Sequence, residues 1–420
     1  MGFDAMSYLL GRKLQHAREH HSIYGFHIDS GESDPSEAVT YLADAVGLTP
    51  AHMDFVNDAF VWGSWADAFF LPRPCMLKYD GTVDYYLDPA DYTKKLDGTA
   101  SDVADDSYGG NAMMEWGRNG RRIWYKIVPD SADPSSASVY IADHRADGGY
   151  RAWSFVNSAG MMTEHFYTPI YNGTLDANGR LRSVSGKGYA ALSKYKTAEE
   201  EIAAAELNNP GTDKLWYTEV YADVTLINLL LILMAKSLDT QSAYGNGRTG
   251  QGSGATAMLG TGTMDDKGLF WGSAGNSSGV KIFGMENWWG NQWRRYAGHM
   301  MVDYVHQYKM TRGRQDGSAA DDYNITGSGY LSGATAPQSD DYIKKMQFNG
   351  DGFLSKETGG SSASYWCDTF SQGSGTRYAA HGSAAASPEG AAGAFALSLF
   401  NPPSRSFFNV GAALSCKPMA

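Results

Sequence analysis

Three cysteines, Cys75, Cys367 and Cys416, are the first candidates for chemistry in this 420-residue chain. Three thiols cannot build a disulfide framework, and no C-x-x-C pair offers the spacing of a zinc site. Cys367 and Cys416, in the contexts Tyr-Trp-Cys-Asp and Leu-Ser-Cys-Lys-Pro, read as buried thiols or as one structural disulfide. His20-His21 and His299 read as surface and strand residues, not as metal ligands. The acidic run from Asp102 to Asp106 lacks the ligand spacing of a calcium loop and reads as a solvated turn. Gly-x-Ser-x-Gly, His-Glu-x-x-His and P-loop patterns do not occur. These residues predict no enzyme, no cofactor and no metal.

Recognition chemistry is better represented, in the stretch from Tyr365 to Leu414. Glycine and small residues form a frame there, interrupted by aromatic, polar and cationic residues with no period of 3.6 or 2. The candidate contact residues are Tyr378, Ala380, His381, Ala384, Ala385, Ser387, Ala391, Phe395, Ser398, Phe400, Asn401, Ser404, Arg405, Phe407 and Phe408. Aromatic residues and Arg dominate binding hot spots, and Gly/Ser surroundings supply adaptable contacts. Phe395, Phe400, Phe407 and Phe408, if exposed together, would form an apolar patch of the kind that marks a binding surface. Gly382, Gly390, Gly393, Asn409, Val410 and Gly411 read as the scaffold between them.

The remaining sequence must position that stretch. Charged residues are only 19%, against 49 glycines and 26 tyrosines, which suits a loop-rich β or α+β chain. A net charge of −12 with no basic run argues against nucleic acid. The N-terminal apolar stretch is too short for a secretory signal. The most apolar run, Val220 to Leu238, contains Asp223, Asn228 and Lys236, so it predicts a buried helix and no membrane insertion.

Residues 1–20 carry an amphipathic helix signal through Phe3, Met6, Leu9 and Leu10. Asp34-Pro35-Ser36-Glu37 and Thr49-Pro50 look like two helix starts, the second preceding His52–Phe60. Together they predict a helical region over 1–70 that serves attachment or oligomerisation. A β-hairpin region over 71–150 follows, with turns at Asp80-Gly81, Asn119-Gly120 and Gly148-Gly149. The last hairpin would pair Ser138–Ala142 with Tyr150–Phe155. Residues 151–420 then hold helices at Ala198–Asn208 and Tyr217–Leu238 and a Gly/Ser/Thr loop over 245–279. They continue with an aromatic core at Trp288, Trp289 and Trp293 and a strand over His299–Tyr308, and polar turns occupy 311–345.

Trp289-Gly290-Asn291-Gln292-Trp293 resembles the G-N-x-W signature of formylglycine-generating-enzyme-type domains in the C-type lectin superfamily. Asn409-Val410-Gly411-Ala412-Ala413-Leu414 resembles the motif that closes such domains, with Ala413 where Arg is common. Gly110–Glu115, Trp124–Lys126, Arg182–Lys187, Ile282–Asn291 and Tyr365–Asp368 are similar to phage tail-fibre and receptor-binding proteins of this fold, including the variable proteins of diversity-generating retroelements.

The resemblance implies an α+β chain with a C-terminal C-type lectin fold and a variable region at about 365–414. Adenine-directed mutagenesis cannot produce Lys, Trp, Met, Gln or Glu, and Tyr378–Asn409 contains none of these except Glu389. The implied partners are a host-cell surface receptor, protein or glycan, and other tail proteins through the N-terminal region. The chain is expected to be a homotrimer located in the virion tail, or on a bacterial cell surface if not phage-borne. A formylglycine-type copper oxidase using Cys367 and Cys416 is one alternative, although their contexts do not match that enzyme's catalytic segment; a purely structural tail protein is another. The Glu-Pro-Asn, Gln-Pro-Asp and Trp-Asn-Asp signatures of calcium-dependent sugar binding do not occur.

Overall fold

The computed structural model describes residues 21–419. The chain is mostly β, 32% strand and 10% helix, with three helices among the described residues and a sheet that curls close to a barrel. Both helices of the α+β expectation form, and a third short one joins them in a chain whose strands predominate. The amphipathic segment over 1–20 lies outside the described residues.

No helix forms between residues 21 and 70, contrary to the two capping signals. Asp34 Oδ1 does accept the Ser36 backbone N–H at 2.9 Å, but the turn closes there and Val39–Ala43 continues as a strand. Its burial alternates, with Val39 and Tyr41 inside and Thr40 outside, and that period of two overrides the cap. Likewise Asp54 accepts N–H groups from Val56 and Asn57 and turns the chain into a hairpin of His52–Asp54 with Ala59–Val61.

Ile23–Ile28 lies between Val39–Ala43 and Ala137–Ala142, with Trp124–Pro129 on the far edge, in a four-stranded antiparallel sheet. The Asp80-Gly81 hairpin forms as expected, joining Arg73–Lys78 to Val83–Asp88. Asn119-Gly120 does not join a hairpin. Both residues take left-handed backbone, φ 58° and 71°, but the turn redirects the chain from one sheet to another. Gly110–Trp116 pairs with Arg73–Lys78 and Phe166–Pro169, whereas Trp124–Pro129 pairs with Ala137–Ala142. Tyr150–Phe155 is not a strand either; Arg151 makes a single bridge to Tyr125 before a short 3-10 turn at Trp153–Phe155.

Two larger sheets follow. One runs Trp216–Thr218, Leu414–Cys416, Phe166–Pro169, Gly110–Trp116, Arg73–Lys78, Val83–Asp88 and Asp91–Lys95. The other, of nine strands, centres on Trp293–Val302, which pairs with Val305–Tyr308, Arg377–His381 and, in parallel, Val410–Ala412. Strand pairing therefore crosses residues 70 and 150, and one apolar cluster extends from Phe26 to Leu399.

The first helix, Ala198–Glu206, is closed by a capping box between Thr197 and Glu200. The long helix, Tyr221–Ala235, is buried over nearly its whole circumference. Two of its polar residues find partners inside: Asp223 pairs with Lys417 at 3.0 Å, and Asn228 donates to Ala394 O at 2.6 Å and accepts from the Trp288 indole at 3.0 Å. No described helix is long and apolar enough to cross a membrane. A third helix, Thr240–Tyr244, starts on Asp239.

The strand expected over His299–Tyr308 is a hairpin, because Asp303 and Tyr304 adopt φ 47° and 63°, the geometry of a tight two-residue turn. The hairpin aligns a buried relay whose tautomers follow from its end point. Ser355 O can only accept, so His306 donates to it from Nε2 at 2.9 Å. His306 Nδ1 then accepts from His299 Nε2 at 2.9 Å, and His299 Nδ1 accepts from the Tyr296 hydroxyl at 2.8 Å.

Burial holds His306 down to about 4 and pushes His299 below its ordinary value too. Below the ordinary histidine value near 6.5 the unfolded chain takes up protons that the native chain refuses. Stability is therefore expected to fall from pH 6.5 downward and to stop falling from His306 once it titrates near 4, a loss of about 3 kcal/mol from that residue. Denaturant midpoints between pH 7 and pH 4.5 check this. The His306→Gln variant should show a flatter profile, and an equally steep one would exclude the relay as the cause.

Candidate functional site

The C-terminal stretch divides into a buried part and an exposed part. Tyr378, Ala380 and His381 lie on the strand Arg377–His381, with side chains at most 4% exposed. Ala384 and Ala385 are fully buried, and Ala391, Phe395 and Ser398 are also inside. Ser387 is half-buried under the 245–279 loop, where its carbonyl accepts the Gly250 N–H at 2.8 Å.

The expectation that Phe395 stands exposed beside the other three phenylalanines is corrected. Its ring meets Trp366 edge-on at 4.8 Å between centroids and Phe353 at 5.9 Å, and its backbone N–H donates to buried Asp368 at 2.7 Å. Ala394 and Ala396 beside it border the same small cavity as Thr225 and Asn228 of the long helix, so they are inward positions.

His381 borders a buried ion pair. Arg294 donates to Glu219 from Nε at 3.0 Å and also through a second guanidinium nitrogen. His381 Nε2 lies 3.6 Å from the same carboxylate, and its ring is 4.8 Å from that of Trp288. Burial raises the Glu219 carboxyl, but Arg294 and His381 outweigh it and hold the group below its ordinary value. Burial lowers His381, against the pull of Glu219.

Trp288 and Trp289 are core, as expected, and Trp293 is half-buried. The three cysteines are buried free thiols. Cys416 shares an apolar cluster with Cys75, and Cys367 lies outside it, so the structural disulfide considered for Cys367 and Cys416 is not formed. Asp102 accepts from the Tyr85 hydroxyl at 2.7 Å and Asp106 pairs with Lys187 at 2.7 Å, contacts of an ordinary solvated loop.

The exposed part is the loop over 400–408. Phe400 is 55% and Phe407 37% exposed; Ser404 and Arg405 are exposed, and Asn401 and Phe408 half-buried. Phe407 and Phe408 lie 4.8 Å apart between centroids, with the Arg405 guanidinium 4.7 Å over Phe407. The loop is fastened to the segment before the first helix. Tyr195 N–H donates to Phe407 O at 3.0 Å, and Ala198 N–H to Pro403 O at 2.9 Å. Buried Arg295 ties both sides, donating to Lys196 O at 2.9 Å and to Arg405 O while pairing with Glu201 at 3.0 Å.

That neighbouring segment contributes residues the sequence reading missed. Tyr195 is 57% and Tyr189 40% exposed, and among the described residues the large exposed aromatic side chains are Tyr189, Tyr195, Phe400 and Phe407. They come from just two segments that are hydrogen-bonded to each other. Tyr195 is held at φ 55°, a conformation that a bulky residue keeps only when its surroundings impose it. Lys194 reaches back to Tyr189 O at 2.6 Å, with its ammonium 5.8 Å from the Tyr189 ring. The available signal was the run Gly-Tyr-Ala-Ala-Leu-Ser-Lys-Tyr-Lys, with exposed-type aromatics among lysines and no helical period.

Phe407 and Phe408, with the Arg405 guanidinium over Phe407, can stack a flat apolar group and attract an anionic one. Comparison with known proteins adds no relative: no protein-family model matches the sequence, and no curated protein matches it.

Proposed function

We propose that the chain is a ligand-binding protein that engages a host-cell surface receptor through the aromatic face of Tyr189, Tyr195, Phe400 and Phe407. The observation that carries this reading is that, among the described residues, the large exposed aromatics all lie on two segments hydrogen-bonded to each other. The motifs around Trp289–Trp293 and Asn409–Leu414 favour a C-type lectin fold for the C-terminal domain, and the further motif similarities favour a phage tail tip. A homotrimer suits that role, because three copies of a small face raise a weak single-site affinity through multivalency.

The proposed contact surface is narrower than the sequence reading. Phe400, Asn401, Ser404, Arg405, Phe407 and Phe408 remain in it. Tyr378, Ala380, His381, Ala384, Ala385, Ala391, Phe395 and Ser398 act as its support. If a retroelement diversifies this stretch, freely varied positions should concentrate over 400–408; a near-copy of the last codons beside a reverse transcriptase gene, differing mainly at adenines, would identify such a locus.

The test uses the labelled full chain titrated onto a panel of bacterial cells. The double variant Phe400→Ala, Phe407→Ala should weaken cell binding by about tenfold or more while its denaturant midpoint stays within about 0.5 kcal/mol of the parent. Undiminished binding by the folded variant overturns the proposal. Failure of the parent to bind any cell would favour the structural tail protein.

A further inference from the structure

The described chain begins at a cluster that recognition by the aromatic face does not use. Asp143 follows the strand Ala137–Ala142, and its side chain is 1% exposed. Its Oδ1 faces two imidazoles: His21 Nδ1 at 3.2 Å and His144 Nδ1 at 3.0 Å. Its Oδ2 faces the Arg121 guanidinium at 3.2 Å. The two rings lie face to face, 4.1 Å between centroids and tilted by 31°. Among the described residues this is the one group of three or more His, Cys, Asp or Glu side chains whose ligand atoms all fall within 4.8 Å of one another.

We propose that His21, Asp143 and His144 bind a divalent first-row transition cation of the zinc class. Two imidazole nitrogens and one carboxylate oxygen form the donor set that such ions prefer over magnesium or calcium. An ion held at about 2.0–2.1 Å from each atom would see the 3.0 and 3.2 Å separations at angles of roughly 95–105°, between octahedral and tetrahedral values. His21 is 58% exposed and can swing the small distance needed to close the third edge.

The second Asp143 oxygen is already occupied. Arg121 fixes the plane of the carboxylate and leaves Oδ1 to the ion, as outer partners of metal ligands commonly do. The competing arrangement keeps both imidazoles protonated on Nδ1, so that two N–H groups and Arg121 crowd one carboxylate. An ion replaces two donors on one oxygen with one bond to each ring. Three protein ligands leave at least one coordination position open to water or to a partner group.

The consequence is positional. Asp143 N–H donates to Ser22 O at 3.4 Å, and Ile23–Ile28 runs antiparallel to Ala137–Ala142 with Ile23 opposite Ala142. An ion here would pin residue 21 to the end of that strand.

Zinc chloride and cobalt chloride titrated into the metal-free full chain test the site. One zinc per chain is expected by calorimetry, and cobalt should give visible d–d absorption bands of a low-symmetry N/O site. His144→Ala and His21→Ala each remove an accessible ring and leave the sheet hydrogen bonds intact. Each should lower zinc affinity by about tenfold or more without moving the denaturant midpoint of the metal-free chain. Parent binding at well below one ion per chain overturns the proposal, as does equal affinity in both folded variants, which would assign the ion to scattered surface histidines.

Discussion

Replacing Phe395 by alanine is expected to destabilise the fold by about 3–5 kcal/mol. The ring is 3% exposed and is held between Trp366 and Phe353. A cavity of about 30 Å³ lined by Tyr221, Thr225, His381 and Phe395 already lies beside it, so truncation enlarges an existing void that the rigid long helix cannot close. The denaturant midpoint should drop with little change in slope. The contrast with Phe400→Ala, five residues along the same stretch, is the informative part: that change should be nearly silent in stability and felt in binding. A Phe395→Ala protein as stable as the parent would return this ring to the surface.

Glu219→Ala is expected to cost about 3–5 kcal/mol as well, for an electrostatic reason. It strands the Arg294 guanidinium, 1% exposed, without its carboxylate partner, and a buried unpaired charge is among the most destabilising single defects. The damage should spread towards the C-terminal stretch, because Arg294 sits opposite His381 on one side and Gly411 on the other. Glu219→Gln should lose less, since its amide oxygen still accepts a hydrogen bond. Adding Arg294→Met to Glu219→Ala should recover part of the loss in a double-mutant cycle. Strict additivity of the two changes would argue against a coupled pair.

Local chemistry was legible where it decided the outcome by itself. The Asp80-Gly81 hairpin, the Ala/Glu-rich helix from Ala198 and the all-round apolar helix each have a cause within a few residues, and each forms, although the apolar helix starts at Tyr221 because Trp216–Thr218 pairs as a strand. The helix starts at Asp34 and Thr49 failed because caps are weak beside a period-two burial pattern. Asn119-Gly120 failed as a hairpin because its flanking strands find better partners far away in sequence, at Phe166–Pro169 and Ala137–Ala142. The contact surface was legible only in part for a similar reason. Alanine and glycine at 379–396 look alike in sequence whether they line a surface or pack against a helix. Tyr195 belongs to the site through a backbone hydrogen bond to Phe407, in a loop about two hundred residues later, which no local pattern encodes.

The placing of Leu414–Cys416 between Phe166–Pro169 and Trp216–Thr218 also has a bearing on biosynthesis. Both of those strands, and the Trp293–Val302 edge that awaits Val410–Ala412, emerge from the ribosome long before their partners are made. At ordinary elongation rates their unpaired edges stay open for some tens of seconds, rich in Phe, Tyr and Trp and suited to pairing with another chain. Nascent copies made side by side are therefore at their most adhesive just before Val410–Cys416 emerges, and yield should depend on slow expression or on chaperones that cover those edges.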